Sequence, residues 1–483
     1  MAGTFASPAQ RRILLTACLG AFMATLDSSI VNIALPQIAH DFRASLSQIS
    51  WVMVSYLLAS VALLLPFGRL GDLLAPGRLF LQGLVIFTAG SVLCGFSPNL
   101  PWMVSSRVVQ AVGAALMMSL APKLIAVTFE EKDRGFALGL FSTAFASGVS
   151  VGAPLGGIIT GWLGWPYIYF INIPVCLAAL LTGSRPLMQI RGQGEWIWKH
   201  FDIGGSLVLA GAIISLLLGL DWVKTSSLSD PRTSGAFIIA AVLFLLLLPL
   251  ERSHPSPILR GELWKSPPFL MGSAVVVLAF AAVLGTSFLM PFFLGRIYGY
   301  SPQQIGFLMA CWSVTNALVA AVGGYLSDRF GNMPVLRFGS CLILVGLVSL
   351  LLTDATNSTW ELIGRFVIIG AGFGLFQAPN LNEILRGTEP SLVGLAASAN
   401  SVLKNLGALL GITMMVMVIA YIKLHHVPLT SQNPLGLNAF HTAFTAAVIV
   451  AAVNLLLNLL PRTTFRPGET ASEQMPPAPP ARE

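Results

Sequence analysis

Fourteen apolar stretches, each about the length of a membrane-crossing helix, constrain this chain more than any single motif does. A helix needs roughly 20 apolar residues to cross a hydrocarbon core of about 30 Å. The stretches lie near 13–36, 48–68, 79–98, 101–123, 135–158, 166–183, 203–221, 235–250, 269–294, 303–326, 335–352, 361–381, 392–420 and 440–460. The stretch at 235–250 is short and ends in Pro249 and Glu251. If it and 203–221 were interfacial, the count would fall to twelve. Charged residues make up only 10% of the chain, against about 25% in a soluble domain. So little charge cannot cover a water-facing surface of this size. A cytosolic enzyme, a nucleic-acid-binding module and a disordered scaffold are excluded, and an all-α polytopic membrane protein is expected.

Loop charge tests the count independently. With the N-terminus inside, about 19 of the 27 Lys and Arg fall in inner loops and about five outside, the bias expected of cytoplasmic loops. The outer set is Arg43, Lys224, Arg232, Arg296 and Lys423. Removing 203–250 as a pair preserves the alternation, so charge cannot separate twelve spans from fourteen. The net charge of +7 needs no nucleic-acid partner, because inner loops gain it anyway. The first span carries Asp27 and Asn32, is too long for a signal peptide, and should remain in the mature protein. Segment 184–200, with Trp196 and Trp198 beside Lys199, reads as an interfacial connector, and 462–483 as a disordered cytoplasmic tail. Five cysteines in apolar stretches, without paired spacing, indicate neither a disulfide framework nor a metal site, and no cofactor motif is present.

Two segments 256 residues apart share a pattern: GRLGDLLAPGR at 68–78 and GYLSDRFGNMP at 324–334. Gly68, Leu70 and Asp72 align with Gly324, Leu326 and Asp328. Each is followed by an arginine opening a glycine-rich span, Arg107 and Arg365. Two matching halves of six spans suit the parallel-repeat architecture of secondary transporters, with the extra pair of spans between them. The repeated element is expected in the inner loop after the second span of each half. There Gly68 would let the helix end pack closely, and Asp72, with Arg78, Asp328 and Arg329, would form a latch on the outward-facing state.

Asp27 is the most informative residue. An ionised carboxylate at mid-span costs at least about 2.5 kcal/mol, so it should face a polar cavity or be paired. Burial favours its neutral form, which suits a proton-binding group. At 1.5 Å per residue, Asp27 lies ~20 Å above the inner boundary and Arg107 ~9 Å below the outer one, so in a ~30 Å core a pairing is allowed. The fifth span carries Gly148, Gly152, Pro154, Gly156 and Gly157, a small-residue face with a kinking proline. Lys404 sits within a span and either faces the cavity or snorkels to the interface; Glu383 reads as a boundary residue.

At these residues the chain resembles the major facilitator superfamily, and within it the fourteen-helix drug:proton antiporter branch. LDSSIVNIALP at 26–36 resembles that branch's first-helix signature, and RVVQAVGAAL at 107–116 its fourth-helix arginine motif. GVSVGAPLGG at 148–157 is similar to its antiporter motif, and WPYIYFINIP at 165–174 to the segment that follows. Departures are Ala75 where the loop motif has glycine, Leu73 and Gly77 at often basic positions, Pro154 one place late, and Lys404 where arginine is usual. The resemblance implies two six-helix bundles plus two central helices. The bundles would be 1–183 and 269–461, with the added pair in 184–268. It implies Asp27 as the proton-coupling carboxylate, Arg107 as its partner, and Gly152, Pro154, Gly156 and Gly157 as shaping an antiport-associated kink. The expected activity is proton-driven export of amphipathic or cationic small molecules by a monomer in a bacterial inner membrane, both termini cytoplasmic. The alternative is a symporter or narrow-substrate metabolite carrier on the same fold. By residue type and depth, Phe22, Asn32, Phe288, Phe292, Trp312, Asn316, Phe376 and Gln377 are candidate substrate contacts.

Overall fold

A computed structural model describes residues 7–190, 203–223, 230–253, 266–354, 356–386, 388, 393–425 and 436–460. The connector beyond 190 and the 462–483 tail lie outside them, and the side chain of Asp72 is also not described. The described residues are helical almost throughout: α1 (Pro8–Asp41), α2 (Leu46–Leu73), α3 (Pro76–Gly95), α4 (Leu100–Thr128), α5 (Glu131–Trp162), α6 (Tyr167–Phe170), α7 (Asn172–Met188), α8 (Ile203–Val223), α9 (Pro231–Ser253), α10 (Pro267–Ile297), α11 (Pro302–Phe330), α12 (Asn332–Leu351), α13 (Thr359–Arg386), α14 (Val393–His425) and α15 (Leu437–Leu459). With α6 and α7 taken together, twelve spans among the described residues are long and apolar enough to cross a membrane. The apolar runs of α8 and α9, Val208–Leu220 and Pro231–Leu247, fall short of that length.

Local chemistry sets the helix starts. Ser7 with Gln10, Ser45 with Gln48 and Ser301 with Gln304 form reciprocal capping boxes that satisfy otherwise unpaired N–H groups. Asn99 caps α4 by accepting from Trp102 N at 2.9 Å. Two expectations need correction. The sixth span is not one helix: it breaks at Ile171, because Pro174 has no N–H to donate to the Phe170 carbonyl, and α7 then runs on to Met188. The repeated Gly–x–Leu–x–Asp element is not a loop. It forms the last turns of α2 and α11, and the chain turns only at Leu74–Ala75 and at Gly331, whose φ is +85°. Space around Gly68 and Gly324 is also open; the close approach is at Gly71, where an added Cβ would meet the Leu120 side chain.

Helices α1 to α7 pack mainly on one another, led by α1 on α5, α3 on α4 and α2 on α4. Helices α10 to α15 do the same, led by α11 on α13, α12 on α13 and α10 on α14. The hairpin partners α8 and α9 pack together, with α8 resting on α2 and α14. The two groups meet where α5 crosses α11, α2 crosses α14 and α1 touches α10.

Glycine makes the α5 crossings possible. A Cβ on Gly152 would sit 2.5 Å from Ser29 Cβ, and one on Gly148 2.4 Å from the Phe22 carbonyl, so this face of α5 lies directly on α1. Gly157, on another face, would meet Pro302 O at 2.5 Å and Gly306 Cα at 2.9 Å. Close backbone approach of this kind drives association where lipid removes the hydrophobic incentive. Ser150 continues the α5–α11 seam by donating to Ser313 O at 3.3 Å, and Asn32 adds a bond from Nδ2 to Ser287 O at 2.9 Å between α1 and α10. The seam runs antiparallel, so its continuation would bring Gly139 opposite Gly324. Yet a Cβ at either meets nothing within 4 Å. The α5–α11 seam is therefore closed at the Gly157 end and open beside Gly139 and Gly324.

Gly157→Leu should therefore overpack the seam, at a cost of about 1–3 kcal/mol. Thermal unfolding in detergent should show a lowered midpoint for Gly157→Leu and an unchanged one for Gly139→Leu.

Candidate functional site

The deepest polar cluster forms where α1, α3, α4 and α7 converge. Gly90 brings α3 onto α4 so closely that a Cβ there would lie 2.6 Å from Gln110 Cα, and Gly113 meets Phe87 N at 2.3 Å by the same measure. That approach sets Ser91 beside Gln110. The break at Ile171 starts α7 at Asn172, which reaches the same point.

At the centre, Arg107 Nη1 donates to Asp27 Oδ2 at 2.6 Å, with both side chains fully buried. The same Nη1 donates to Gln110 Oε1 at 2.6 Å, and Nε to the Val52 carbonyl at 3.1 Å. The other carboxylate oxygen, Asp27 Oδ1, accepts from Gln110 Nε2 at 2.8 Å and from Asn172 Nδ2 at 2.9 Å. Both amides also donate to Ser91 Oγ, at 2.8 and 3.1 Å. The Tyr56 ring lies 4.1 Å from the Arg107 guanidinium carbon, a cation–π contact in a desolvated setting. Asp27 thus has three donors and Arg107 a carboxylate, an amide oxygen, a carbonyl and an aromatic face. Three buried atoms in or beside this cluster, Arg107 Nη2, Asn172 Oδ1 and Tyr169 Oη, have no hydrogen-bond partner among the described residues. Chemically the cluster balances one carboxylate against one guanidinium within an apolar interior.

The structure brings Asp27 and Arg107 together but does not repeat the arrangement in the second group of helices. Arg365 bonds Asn357 Oδ1 and the Leu352 carbonyl at 3.3 Å each, near the start of α13, with Glu361 3.9 Å away. Asp328 is exposed and makes no ion pair among the described residues; Arg329 is exposed with its guanidinium over the Phe330 ring, and Arg78 is exposed on α3. The polar link at that end instead joins Ser327 to Asn332, and Asn332 Nδ2 to Glu383 Oε1 at 2.8 Å, so Glu383 is more than a boundary residue.

The substrate-contact candidates divide. Phe288 and Phe292 pack together at 5.8 Å between ring centroids, Trp312 lies 5.8 Å from Phe366, and all four are buried. Phe376 is fully buried where α13 meets α12 at Gly339. Asn316 and Gln377 are half-buried and bonded to each other at 3.2 Å, and Phe22 is half-buried beside Gly148. A surface hollow of about 460 Å³ at the α1–α2 turn, lined by Arg43, Trp51 and Asn99, shares no residue with either set. Sequence reasoning missed Asn172, Ser91 and Tyr56 as partners of the pair. Asn172 alone left a signal, an amide in an otherwise apolar segment.

Comparison with known proteins gives a consistent answer. The pattern described as Major Facilitator Superfamily matches residues 17–412. Riboflavin transporter RibZ of Clostridioides difficile is 32% identical over 449 residues, 92% of this chain and 96% of that protein. The tetracenomycin C resistance and export protein of Streptomyces glaucescens is 31% identical, covering 84% of this chain and 75% of its own. A crystal structure of a bacterial homolog of the human lysosomal transporter Spinster, inward-facing and occupied, superposes with a TM-score of 0.65 at 17% identity, over 98% of this chain and 100% of that one.

Removing one partner of a buried ion pair costs about 3–5 kcal/mol because the other charge is left uncompensated. Arg107→Gln should therefore lower the unfolding midpoint in detergent more than the double variant Asp27→Asn with Arg107→Gln. Asn172→Ala should cost about 1–3 kcal/mol, the expense of a buried bond to a charge.

Proposed function

The chain belongs to the Major Facilitator Superfamily and is a multi-pass membrane transporter, not an enzyme; on that premise we propose that it exports amphipathic small molecules in exchange for protons by alternating access. The observation that carries this reading is the fully buried Asp27–Arg107 pair. A carboxylate held by three donors in an apolar interior is a place where a proton can be taken up only at the expense of existing bonds. Binding of the proton at Asp27 would remove the charge that holds Arg107 Nη1, Gln110 and Asn172 and so weaken all three bonds, and these partners belong to α4 and α7 while Asp27 belongs to α1. A change of one proton is thereby a change in how three helices are tied.

With the N-terminus inside, the sealed Gly157 end faces out and the separated end faces the cytoplasm. The conformation is then inward-open, with Gly148, Gly152, Pro154, Gly156 and Gly157 shaping the outer seal of α5 against α1 and α11. Asp72, Arg78, Asp328 and Arg329 would form the inner latch of the opposite state, consistent with an exposed Asp328 that has no ion pair among the described residues. We assign 1–183 and 269–461 to the two moving halves. The α8–α9 hairpin supplies two further spans: at 21 and 23 residues it is ~31 and ~35 Å long, although its apolar runs are shorter. The similarity to a tetracenomycin C resistance and export protein favours an exporter, which we assign to a bacterial inner membrane. The similarity to a riboflavin transporter favours a second reading, a carrier of one metabolite on the same fold.

Energised cells expressing the protein should extrude at least one of three fluorophores, ethidium, riboflavin or carboxyfluorescein. A protonophore, or Asp27→Asn at equal expression, should abolish that efflux. Wild-type rates in Asp27→Asn would remove the coupling role from this residue. A membrane-impermeant thiol reagent applied outside should label Ser226→Cys in a cysteine-free background if α8 and α9 both span, and leave it unlabelled if the hairpin rests on the inner interface.

A further inference from the structure

The interior of the second group of helices holds one charge that the coupling reading does not use. Lys404 lies eleven residues into α14, ~16 Å along the helix at 1.5 Å per residue, and its side chain is half-buried. It points towards α10: three residues on, Gly407 would place a Cβ 2.6 Å from Val277 O and 2.9 Å from Phe280 Cβ, and Lys404 Nζ itself stands 5.5 Å from the Phe280 ring centroid. No salt bridge to Lys404 exists among the described residues, and α10, α14 and α15 contain no acidic residue. Asp27 and Arg107 cancel each other, and no acidic side chain among the described residues pairs with Lys404. Such a charge is expensive in a membrane protein and marks a binding position whose partner must be found.

Its surroundings describe that partner. One turn earlier on the same face, the buried Asn400 Oδ1 has no hydrogen-bond partner among the described residues. Phe280 meets Phe373 of α13 edge-on at 4.9 Å, and one turn beyond Phe373 the half-buried Gln377 bonds Asn316 of α11. A cation, two aromatic rings and a pair of amides therefore run across α14, α10, α13 and α11. Resting on the transport reading above, we propose that Lys404 receives the oxyanion of an aromatic, amphipathic substrate whose rings lie along Phe280 and Phe373 and whose polar groups reach Gln377 and Asn316. The charge selected is opposite to the cationic class that the sequence resemblance implies.

The test is binding without any gradient, so that loss of coupling cannot imitate it. Fluorescence anisotropy would be measured for carboxyfluorescein and ethidium with purified wild type, Lys404→Gln and Lys404→Arg in neutral detergent, each confirmed folded by its melting curve. Carboxyfluorescein should bind wild type at least about tenfold more tightly than ethidium, and lose about tenfold or more in Lys404→Gln, as expected for losing a bond to a charge. Lys404→Arg should retain binding. Equal carboxyfluorescein affinity in Lys404→Gln and wild type overturns the proposal, as does preference for ethidium or failure of wild type to bind the anion. Displacement of the probe by phosphatidylglycerol would assign Lys404 to an anionic lipid headgroup and equally overturn it. If ethidium is extruded in cells by a proton-dependent route while Lys404→Gln changes nothing, the export reading survives and this one falls.

Discussion

An aspartate and an arginine cannot both sit in an apolar bundle unless they sit together. The pairing of Asp27 with Arg107 at 2.6 Å is thus the condition that the surrounding helices are arranged to meet. Coulombic attraction alone does not offset the desolvation of two buried ions; the remaining lone pairs and protons must also be satisfied. That demand explains why an amide arrives from α4, another from α7 and a hydroxyl from α3. It also explains why α3 and α4 approach with only hydrogen atoms between them at Gly90 and Gly113. A larger residue at either position would hold Ser91 away from Gln110 and leave the carboxylate less completely bound.

The same small-residue logic operates at the seam between the two groups of helices, with a different consequence. Around the ion pair, glycine fixes a single arrangement. Along α5 it produces two close faces, one on α1 through Gly148 and Gly152 and one on α11 through Gly157. The first lies within one group and the second bridges both, so α5 connects the helix bearing Asp27 to the seam that must open if the states alternate. Because Ser29 Oγ donates to Val149 O and Thr25 Oγ1 to Phe145 O, a displacement of α1 near Asp27 is felt by α5 within one turn.

Much of this was legible in the sequence, for a physical reason. A membrane span must satisfy its own backbone and hide its charge, so apolar length reports the helices and isolated charges report the site. The depths of Asp27 and Arg107 could be counted, and they coincide. What could not be counted was side-chain direction in three dimensions. Asn172 joins the pair only because α7 restarts at that residue after the break before Pro174, and Ser91 does so only because Gly90 admits the neighbouring helix. The internal repeat misled for the complementary reason. Recurrence of an arginine in Arg365 marks a common backbone plan, but no carboxylate equivalent to Asp27 stands in α10 to receive it. Likewise the Gly–x–Leu–x–Asp pattern reads as a loop, although Gly68 and Asp72 are compatible with a helix and the breaker lies further on, at Pro76.

The two proposed binding positions also constrain how coupling could work. A cationic substrate would be expelled by a proton at Asp27 through repulsion alone. An anion at Lys404 would not: adding a proton to Asp27 makes the interior more positive and, by charge, holds the anion better. Exchange of an anion for a proton therefore has to rest on structure. The groups that protonation would loosen are those bonded to Asp27, on α4 and α7, whereas Lys404 lies on α14 in the other group. The link between them runs through the α1–α5, α5–α11 and α2–α14 contacts. A carrier built this way keeps proton and substrate apart by allowing each to stabilise a different packing of the seam. If the seam failed to discriminate, the same charges would favour carrying both together, and the protein would run as a symporter.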